Sequence, residues 1–360
     1  MLTKLHVALI YNAGQAVLPE SPEDRGGTAD LRLMIRGMAH VLRTLGHAVT
    51  VVPLAHDLLA FQRRLGRLHP DVVFNQYDDV VHGALYEMRV AALVRMMGFP
   101  MTGSPALSLG LCRHKYMTST LLQGADIPIP PGTHLLERVS DVARYKWQFP
   151  VIVQPSQEHA GIGLDRDSVV HSLKATREKV RSILENFNQP ALAQKFLPGR
   201  EFNVGIVGGK RLRVMPLAEV SYADLPPEIP PIMSYAAKWM ESTVEYKKTS
   251  VICPAAVDPH LARQLSITAL RAFRAVGGWG YGRVDIRLDE AGHPRVLDVN
   301  SNSSLEEGIG LARSAEKAGI SYARLLQMII NAALEGQPYD VEVPMLAPIG
   351  RQSLPASPTP

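Results

Sequence analysis

The 360-residue sequence predicts an α/β lobe followed by an α+β region. In the first hundred residues, apolar runs such as Leu5–Tyr11 alternate with helical patterns such as Leu31–Leu45. Strands that alternate with helices in this way form a parallel sheet covered on both faces. Further along, apolar β runs flank Gly208-Gly209, a doublet typical of an antiparallel hairpin. A chain of this length exceeds one small core, so we expect two or three lobes.

Hydrophobic spacing marks each predicted element of the first lobe. The expected strands are Leu5–Tyr11, Ala48–Pro53 and Asp71–Asn75, and the expected helices are Leu31–Leu45, stopped by Gly46, and Gly83–Met97, stopped by Gly98. The lobe has neither a G-x-G-x-x-G segment after its first strand nor a G-x-x-x-x-G-K-[ST] segment. Rossmann dinucleotide binding and P-loop chemistry are therefore disfavoured.

The same criteria predict the later elements. We expect helices at Cys112–Gln123, Ser168–Phe187, Leu261–Val276 and Tyr322–Ala333, and strands at Phe149–Gln154, Ala191–Phe196, Glu201–Val207, Leu212–Val220, Arg283–Leu288 and Pro294–Asn300. The polar, weakly periodic stretch Ala223–Ser250 predicts a long structureless loop that acts as a lid. Pro344–Pro360 is rich in Pro and Ser and is expected to be a disordered tail.

The composition excludes several classes of protein. Hydrophobic residues make up 46% and charged residues 20% of the chain, and no apolar stretch approaches the length of a membrane span. The formal charge is only +4 and no Lys/Arg block occurs, so we expect no nucleic-acid and no membrane partner. Cys112 and Cys253 have no metal or disulfide spacing and are predicted to be reduced, partly buried thiols of a cytoplasmic protein.

The last predicted hairpin contains the residues most suited to chemistry. Arg283 and Asp285 lie two residues apart and point to one face of their strand, as do Asp298 and Asn300 on the partner strand. Carboxylate and amide oxygens suit Mg²⁺, whose coordination is completed by nucleotide phosphates, and Arg283 would hold a transferring phosphoryl group. Each charge taken alone also fits an ordinary strand edge. Several polar groups buried on one face without partners would be costly, which favours a site.

Ten short segments follow one another along the chain. They are MTGSP (Met101–Pro105), His114-Lys115, GADIPIPP (Gly124–Pro131), FPVIVQPSQEHAGIG (Phe149–Gly163), QKFLPGREFNVGIVG (Gln194–Gly208), AAKW (Ala236–Trp239), CPA (Cys253–Ala255), GRVDIRL (Gly282–Leu288), LDVNSN (Leu297–Asn302) and GISYARLL (Gly319–Leu326). In this order they resemble the D-alanine–D-alanine ligase branch of the ATP-grasp superfamily, from about Pro100 to Glu335. The resemblance implies an ATP-grasp fold with an N-terminal parallel-sheet (pre-ATP-grasp) lobe. The implied divisions are this lobe at 1–108, a central subdomain at 109–200, a C-terminal subdomain with the Mg-phosphate site at 201–343, and the tail at 344–360.

The resemblance also implies a role for each matching residue. The implied ATP-binding residues are Lys115, Gln154, Gln194, Lys195, Phe196, Leu197, Glu201 and Lys238, with 194–197 cradling adenine, Glu201 holding the ribose and Lys238 reaching the phosphates from the lid. The implied magnesium ligands are Asp285, Asp298 and Asn300. Arg283 would stabilise the acyl phosphate and the tetrahedral intermediate, and the segment around Ser303-Ser304 would offer backbone N–H groups to the same oxyanion.

The sequence departs from the family pattern at the nucleotide and substrate ends. Gln154 stands where the family has a phosphate-binding lysine, which should weaken ATP binding. The family's amine-recognising glutamate motif is not visible in Asn12–Asp30, and Asn75–Gly83 replaces its His-Gly loop. Glu87 and Arg89 on the next predicted helix either present charges to a different substrate or form a plain helix surface.

These patterns predict an ADP-forming carbon–nitrogen ligase that uses ATP and Mg²⁺ to join a carboxylate and an amine through an acyl phosphate. The expected substrates are amino acids or small peptide-like carboxylates. The alternative is a degenerate ATP-grasp protein that binds nucleotide without ligase activity, and Gln154 motivates it. The resemblance also allows a homodimer formed through the first lobe.

Overall fold

The first lobe is built on a three-stranded parallel sheet. The computed structural model describes residues 4–13, 26–55, 57–78 and 85–337. The elements of the lobe are β1 (His6–Asn12), α1 (Gly26–Thr44), β2 (Ala48–Leu54), α2 (Leu58–Leu68), β3 (Val72–Gln76), α3 (Tyr86–Met96) and α4 (Ala106–Arg113). The strand order is β2-β1-β3 with parallel pairing, as predicted. The expected tail at Pro344–Pro360 lies outside the described residues.

The central segment forms a second sheet, which is antiparallel. Its elements are α5 (Lys115–Gly124), β4 (His134–Leu136), β5 (Val151–Pro155), β6 (Val169–Val170), α6 (Leu173–Phe187) and β7 (Ala191–Lys195). The strand order is β4-β7-β5-β6. Strand β5 therefore has a neighbouring strand on each side. Its alternate residues point to the same face of the sheet.

Two predicted helices have different bounds in the structure. The expected helix Cys112–Gln123 is two helices, α4 and α5, because His114 leaves the helical conformation (φ −107°, ψ 87°) and caps α5. The expected helix Ser168–Phe187 begins only at Leu173. Two β-branched valines before it pair with β5 as β6, and Ser172 then caps α6 through its side chain.

The third and largest sheet belongs to the C-terminal segment. Its elements are β8 (Glu201–Gly208), β9 (Arg213–Val214), β10 (Ala218–Ser221), α7 (Tyr235–Trp239), α8 (Val244–Lys248), β11 (Ser250–Ile252), α9 (Pro259–Ala275), β12 (Gly280–Leu288), β13 (Pro294–Asn300), α10 (Gly310–Lys317) and α11 (Tyr322–Leu334). The strand order is β11-β10-β8-β12-β13, and β9 also pairs with β8. All of these pairings are antiparallel, as the hairpin signals predicted.

The segment after Gly208-Gly209 was expected to be one strand, Leu212–Val220, and this is wrong. It is divided into β9 and β10, both of which pair with β8. Pro216 lies between them and has no backbone N–H to donate to a ladder. Met215 donates its backbone N–H to the carbonyl of Gly205 at 2.8 Å. This hydrogen bond keeps the segment between β9 and β10 next to β8.

The lid segment Ala223–Ser250 is not structureless, contrary to the prediction. It contains the short helices α7 and α8. Each has a side-chain N-cap: Ser234 Oγ accepts from the backbone N–H of Ala237 at 3.1 Å, and Thr243 Oγ1 accepts from that of Tyr246 at 3.2 Å. Local capping therefore gives the lid a fixed shape in spite of its weak hydrophobic periodicity.

Helix α11 packs the first lobe against the C-terminal sheet. Its side chains Leu325, Leu326, Ile329 and Ile330 are fully buried in a core cluster that also contains Phe74 of β3. Burial of one such side chain contributes about 1.5–3 kcal/mol. In the described part of the chain, no helix combines the length and the apolar character needed to cross a membrane.

Candidate functional site

One cavity of about 740 Å³ collects residues from all three segments of the chain. Ten predicted site residues line it: Lys115, Gln154, Gln194, Glu201, Lys238, Arg283, Asp285, Asp298, Asn300 and Ser304. Three others, Lys195, Phe196 and Leu197, do not contribute to its wall. The structure therefore brings most of the predicted residues to one concave surface, although they lie in seven different elements and one loop.

Strands β12 and β13 place the predicted acidic residues side by side. Asp285 faces Asp298 across the ladder, and Arg283 faces Asn300. The register shifts after Asp285, so Leu297 is an extra residue in β13. Such a bulge re-aims the residues beside it. The four polar side chains converge on the surface that faces the cavity.

Asp285 is the centre of a hydrogen-bond network on this surface. Arg283 binds it in a bidentate manner, with Nε 2.6 Å from Oδ1 and Nη2 2.8 Å from Oδ2. Asn203 and Asn300 donate to the same carboxylate at 2.8 and 3.1 Å. Burial opposes ionisation of Asp285, but the charges of Arg283 and Lys238 and the hydrogen bonds from Arg283 and Asn203 together outweigh burial and lower the pKa of the carboxyl group. Asp285 is therefore held as an anion.

The donor set of this surface suits Mg²⁺. Lys115 Nζ lies 2.9 Å from Asp298 Oδ2, and Asn300 donates through Nδ2, which leaves its carbonyl oxygen for a ligand. Among the described residues, no group of three or more His, Cys, Asp or Glu side chains could hold a metal ion. Magnesium at this place would thus depend on Asp285, Asp298, the Asn300 amide and nucleotide phosphates.

Sequence reasoning missed two residues of this polar face, Asn203 and Arg287. Arg287 Nη1 donates to Glu201 Oε2 at 3.2 Å, and Tyr222 donates its hydroxyl to the same oxygen at 2.9 Å. Burial raises the pKa of Glu201, and the charge of Arg287 works against this rise. The spacing of the sequence could have identified both residues. Arg287 lies four residues after Arg283, and Asn203 lies two residues after Glu201. Each therefore shares a strand face with a predicted site residue.

The lid lies over the cavity and contacts the central segment. Trp239 Nε1 donates to the carbonyl of Ala160 at 3.0 Å. The backbone N–H of Tyr235 donates to the carbonyl of Leu164 at 3.2 Å. Lys238 enters the wall from the same helix. Burial, followed by the nearby charge of Arg283, lowers the pKa of Lys238 to about 8. The expected closing motion of the lid stays a prediction.

The end of the cavity that is predicted to hold the nucleotide is less charged than the end that is predicted to hold the metal. Gln154 lines the wall, and its side chain has no hydrogen bond to any described residue. Gln194 is buried and donates to Thr133 Oγ1 at 3.0 Å. Lys195 points away from the wall, with Nζ 3.6 Å from a carboxylate oxygen of Glu290. The role of 194–197 in holding adenine stays a prediction.

The loop after β13 brings a serine pair to the cavity. Ser304 is exposed, and its Oγ accepts from the backbone N–H of Glu306 at 3.2 Å. Ser303 is only 7% exposed, and its Oγ has no hydrogen-bond partner among the described residues. An unsatisfied buried hydroxyl in a cavity wall indicates a position for a polar ligand group.

The end of the cavity next to the first lobe is formed by charged residues of that lobe. Glu87 of α3 lines the wall and accepts from Arg113 Nε at 2.9 Å, whereas Arg89 is exposed and outside the wall. Asn302 also donates to Glu87, and Asp78 pairs with Arg113. Burial raises the pKa of Glu87 to about 7. Of the two charges weighed in the sequence, only Glu87 faces the cavity.

Comparison with known proteins places this architecture in a family. The protein-family model described as "D-ala D-ala ligase C-terminus" matches residues 121–331 of this chain. The chain is 30% identical over 322 residues to "Uncharacterized protein y4sG" of Sinorhizobium fredii, covering 88% of this chain and 90% of that protein. It is 28% identical over 249 residues to a D-alanine–D-alanine ligase of Marinomonas sp., covering 68% and 73% of the two chains.

A solved structure has the same fold. The D-alanine–D-alanine ligase of Bacillus anthracis superposes with a TM-score of 0.69 at 20% identity, covering 92% of this chain and 98% of that one. A second structure of the Bacillus anthracis enzyme, complexed with ATP, gives a TM-score of 0.66 at 19% identity and the same coverage. The family match spans more than half of the chain, and the predicted ATP-grasp fold is confirmed. This chain belongs to the D-alanine–D-alanine ligase family of ATP-grasp proteins.

Proposed function

We propose that this protein is an ATP-dependent carboxylate–amine ligase that forms an amide or peptide bond and releases ADP and phosphate. The observation that carries the proposal is the shared surface of Arg283, Asp285, Asp298 and Asn300, with Lys115 on Asp298 at 2.9 Å. Oxygen donors for a metal and cations for phosphate thus meet at one place. Membership of an ATP-grasp ligase family supports the same activity.

The proposed reaction has two displacements. A carboxylate oxygen attacks the γ-phosphorus of ATP, the bond to the β-phosphate oxygen breaks, and ADP leaves an acyl phosphate behind. The amine nitrogen then attacks the acyl carbon, the bond to the phosphate oxygen breaks, and the nitrogen loses a proton to give the amide. Such chemistry depends mainly on positioning and charge stabilisation.

The residues of the cavity match these demands. Arg283 shares a surface with the proposed magnesium ligands, and we propose that it stabilises the negative charge of the phosphoryl group and of the tetrahedral intermediate. Lys238 lines the cavity from the lid and is partly buried, where a charge interacts more strongly with phosphate than it does in bulk water. Mg²⁺, held by Asp285, Asp298 and Asn300, would neutralise phosphate charge. The hydrogen bond from Trp239 Nε1 to the carbonyl of Ala160 ties the lid to the central segment at the cavity wall, and lid closure would exclude water there.

An ADP-release assay tests the proposal. The purified chain is incubated with Mg-ATP and pairs drawn from D- and L-amino acids and short peptides. We expect release of ADP that requires both a carboxylate and an amine, and Arg283→Ala should lower kcat at least a hundredfold. Arg295→Ala is the matched control, since Arg295 pairs with Asp289 outside the cavity.

Three results would contradict this proposal in whole or in part. Turnover that survives Arg283→Ala would remove the main catalytic assignment. Binding of Mg-ATP in a calorimeter without ADP release across the whole panel would favour the nucleotide-binding alternative. Failure to bind Mg-ATP at all would contradict both.

A further inference from the structure

We infer that the side of the first lobe formed by β2, α1 and α2 is a docking surface for an acidic protein partner. Six arginines of the two helices form this surface, which we call the arginine edge: Arg32, Arg36, Arg43, Arg63, Arg64 and Arg67. All six are exposed, and none of them lines the cavity. The arginine edge is therefore separate from the proposed ligase site.

The arginine edge accounts for the positive charge of the whole chain. Between Leu31 and Leu68 the sequence has these six arginines, no lysine and one acidic residue, Asp57, which gives a formal charge of +5. The complete chain has a formal charge of only +4, so the remainder has one more acidic than basic residue. Asp57 caps α2, and its side chain accepts from the backbone N–H of Ala60 at 2.8 Å.

Helical spacing places the arginines of each helix on one side of it. Arg32, Arg36 and Arg43 are separated by four and then seven positions, which puts them on one face of α1. Arg63 and Arg67 are four positions apart on α2 in the same way. Each helix therefore presents a continuous basic face to solvent.

The fold brings these two basic faces to the same edge of the sheet. Leu9 of β1 belongs to the core that α1 covers, whereas its neighbour Ile10 belongs to the core that α2 covers. Since neighbouring strand residues point to opposite faces, the two helices lie on opposite sides of the sheet. Strand β2 is at the edge of the strand order β2-β1-β3, so it lies between the two helices at that edge.

Two of the arginines are fixed on the backbone of β2. Arg43 Nη2 donates to the carbonyl of Val49 at 3.0 Å, and Arg64 Nη2 donates to the carbonyl of Val51 at 3.3 Å. The two carbonyls are two residues apart on a strand, a distance of about 7 Å. Each guanidinium keeps further N–H groups for a ligand, and a guanidinium held in this way suits bidentate binding of a carboxylate.

The arginines of this surface lack the acidic partners that exposed arginines have elsewhere in the chain. Arg166 lies 2.6 Å from a carboxylate oxygen of Glu245, and Arg200 lies 2.6 Å from one of Glu219. None of the six arginines forms an ion pair with a described residue. Like charges gathered on one surface repel each other, and an anionic partner relieves this repulsion.

The chemistry of the surface favours a protein as the partner. Arginine is enriched and lysine depleted in protein–protein interfaces, and Leu33 and Leu59, 68% and 63% exposed, add apolar contacts beside the arginines. The only aromatic residue of the segment, Phe61, is 3% exposed, so no ring is available to stack on nucleic-acid bases. Pro53 has no N–H for a further strand, so the partner is bound through side chains.

A titration with an acidic peptide tests the surface. The full chain is titrated into fluorescently labelled poly-L-glutamate of about 20 residues at about 0.15 M salt, and binding is followed by anisotropy. Arg36→Gln with Arg67→Gln should weaken binding at least tenfold, and neither side chain has a hydrogen bond that this change would break in the described structure. Arg43→Lys with Arg64→Lys should weaken binding at least fivefold although it keeps the charge, because lysine lacks the planar fork.

The matched control is Arg177→Gln with Arg181→Gln on α6. These two arginines are also exposed and four positions apart, but their helix carries Glu178 and Glu185 as well. We expect the control to change the affinity for the peptide less than twofold. No binding of the peptide, or equal weakening in the control, would overturn the inference. Tighter binding of duplex DNA or of vesicles with anionic lipid than of the peptide would assign the surface to another class of partner and would also overturn it.

Discussion

Lys115 Nζ lies 2.9 Å from Asp298 Oδ2, although the two residues are 183 positions apart in the sequence. Lys115 begins α5 and Asp298 lies near the end of β13, so the contact joins the central segment to the C-terminal sheet. A lysine in this position can hold a phosphate oxygen next to a metal ligand. Binding of nucleotide and of metal should therefore be linked through this pair.

The first prediction concerns this linkage. Asp298→Asn removes a charge that we propose binds the metal, and it leaves Lys115 without the carboxylate that it contacts. We expect the Mg²⁺ concentration that supports half-maximal ATP binding to rise at least tenfold, measured by calorimetry at a series of Mg²⁺ concentrations. Asp167→Asn, at an exposed aspartate of the central segment outside the cavity, should leave this concentration unchanged. An unchanged magnesium requirement in Asp298→Asn would show that the residue is not a metal ligand.

The second prediction concerns the nucleotide end. Gln154→Lys would place a cation in the cavity wall at a side chain that has no hydrogen bond to the described residues. We expect ATP to bind about three- to tenfold more tightly, since hydrogen bonds from charged donors to phosphate are stronger than those from neutral ones. Gln123→Lys on the exposed surface of α5 is the control for a general charge effect. Equal gains in both variants would mean that Gln154 does not face the phosphates.

The third prediction tests the docking of the lid. Gly161 has φ +82°, and a Cβ atom there would lie 3.0 Å from the backbone carbon of Ser234 and the backbone nitrogen of Tyr235. Gly161→Ala should therefore push the lid away and raise the KM for ATP at least tenfold. Gly132→Ala is a matched control, because Gly132 also has positive φ (+62°) but open space around it. Similar kinetics in the two variants would contradict close packing of the lid.

The fourth prediction is a pH dependence of stability. Burial raises the pKa of Glu87 from 4.5 to about 7 in the folded protein. The stabilisation associated with protonated Glu87 is fully present below pH 4.5 and is lost as the pH rises through 7. Relative to Glu87→Gln, the wild-type protein should lose on the order of 3 kcal/mol of unfolding free energy over this interval. Urea unfolding at several pH values measures it, and parallel pH profiles would refute the burial argument.

The sequence was most informative where side chains alternate along a strand. Arg283 and Asp285, and then Asp298 and Asn300, stand two apart in otherwise apolar runs, so their shared face could be predicted. The bulge at Leu297 could not, because it is a property of the pairing between two strands. It became visible only in the register of β12 and β13.

Other features depended on contacts that a local pattern cannot show. The break at His114, which divides one predicted helix, arises from a cap that competes with helix continuation. Helix α10 was not predicted, since it is short and begins beside glycines without a side-chain cap. The pairing of Asp78 with Arg113 joins residues 35 positions apart, and each alone resembled a surface charge.

The number and spacing of the cysteines were enough to predict that both thiols are free. Cys112 and Cys253 are unpaired and partly buried, as their spacing indicated. Burial raises the pKa of Cys112 to about 12. A thiol that is so rarely ionised should react slowly with alkylating reagents, although it lines the cavity.

The most direct measurement of the central claim follows the oxygen atoms. An amino acid labelled with ¹⁸O in its carboxylate, and identified as a substrate in the ADP-release assay, is incubated with Mg-ATP, the amine and the protein. If an acyl phosphate forms, one ¹⁸O atom is transferred to each phosphate released, and mass spectrometry will detect it. Release of ADP with phosphate that contains no ¹⁸O would show that ATP is hydrolysed by water, and the ligase mechanism would be wrong.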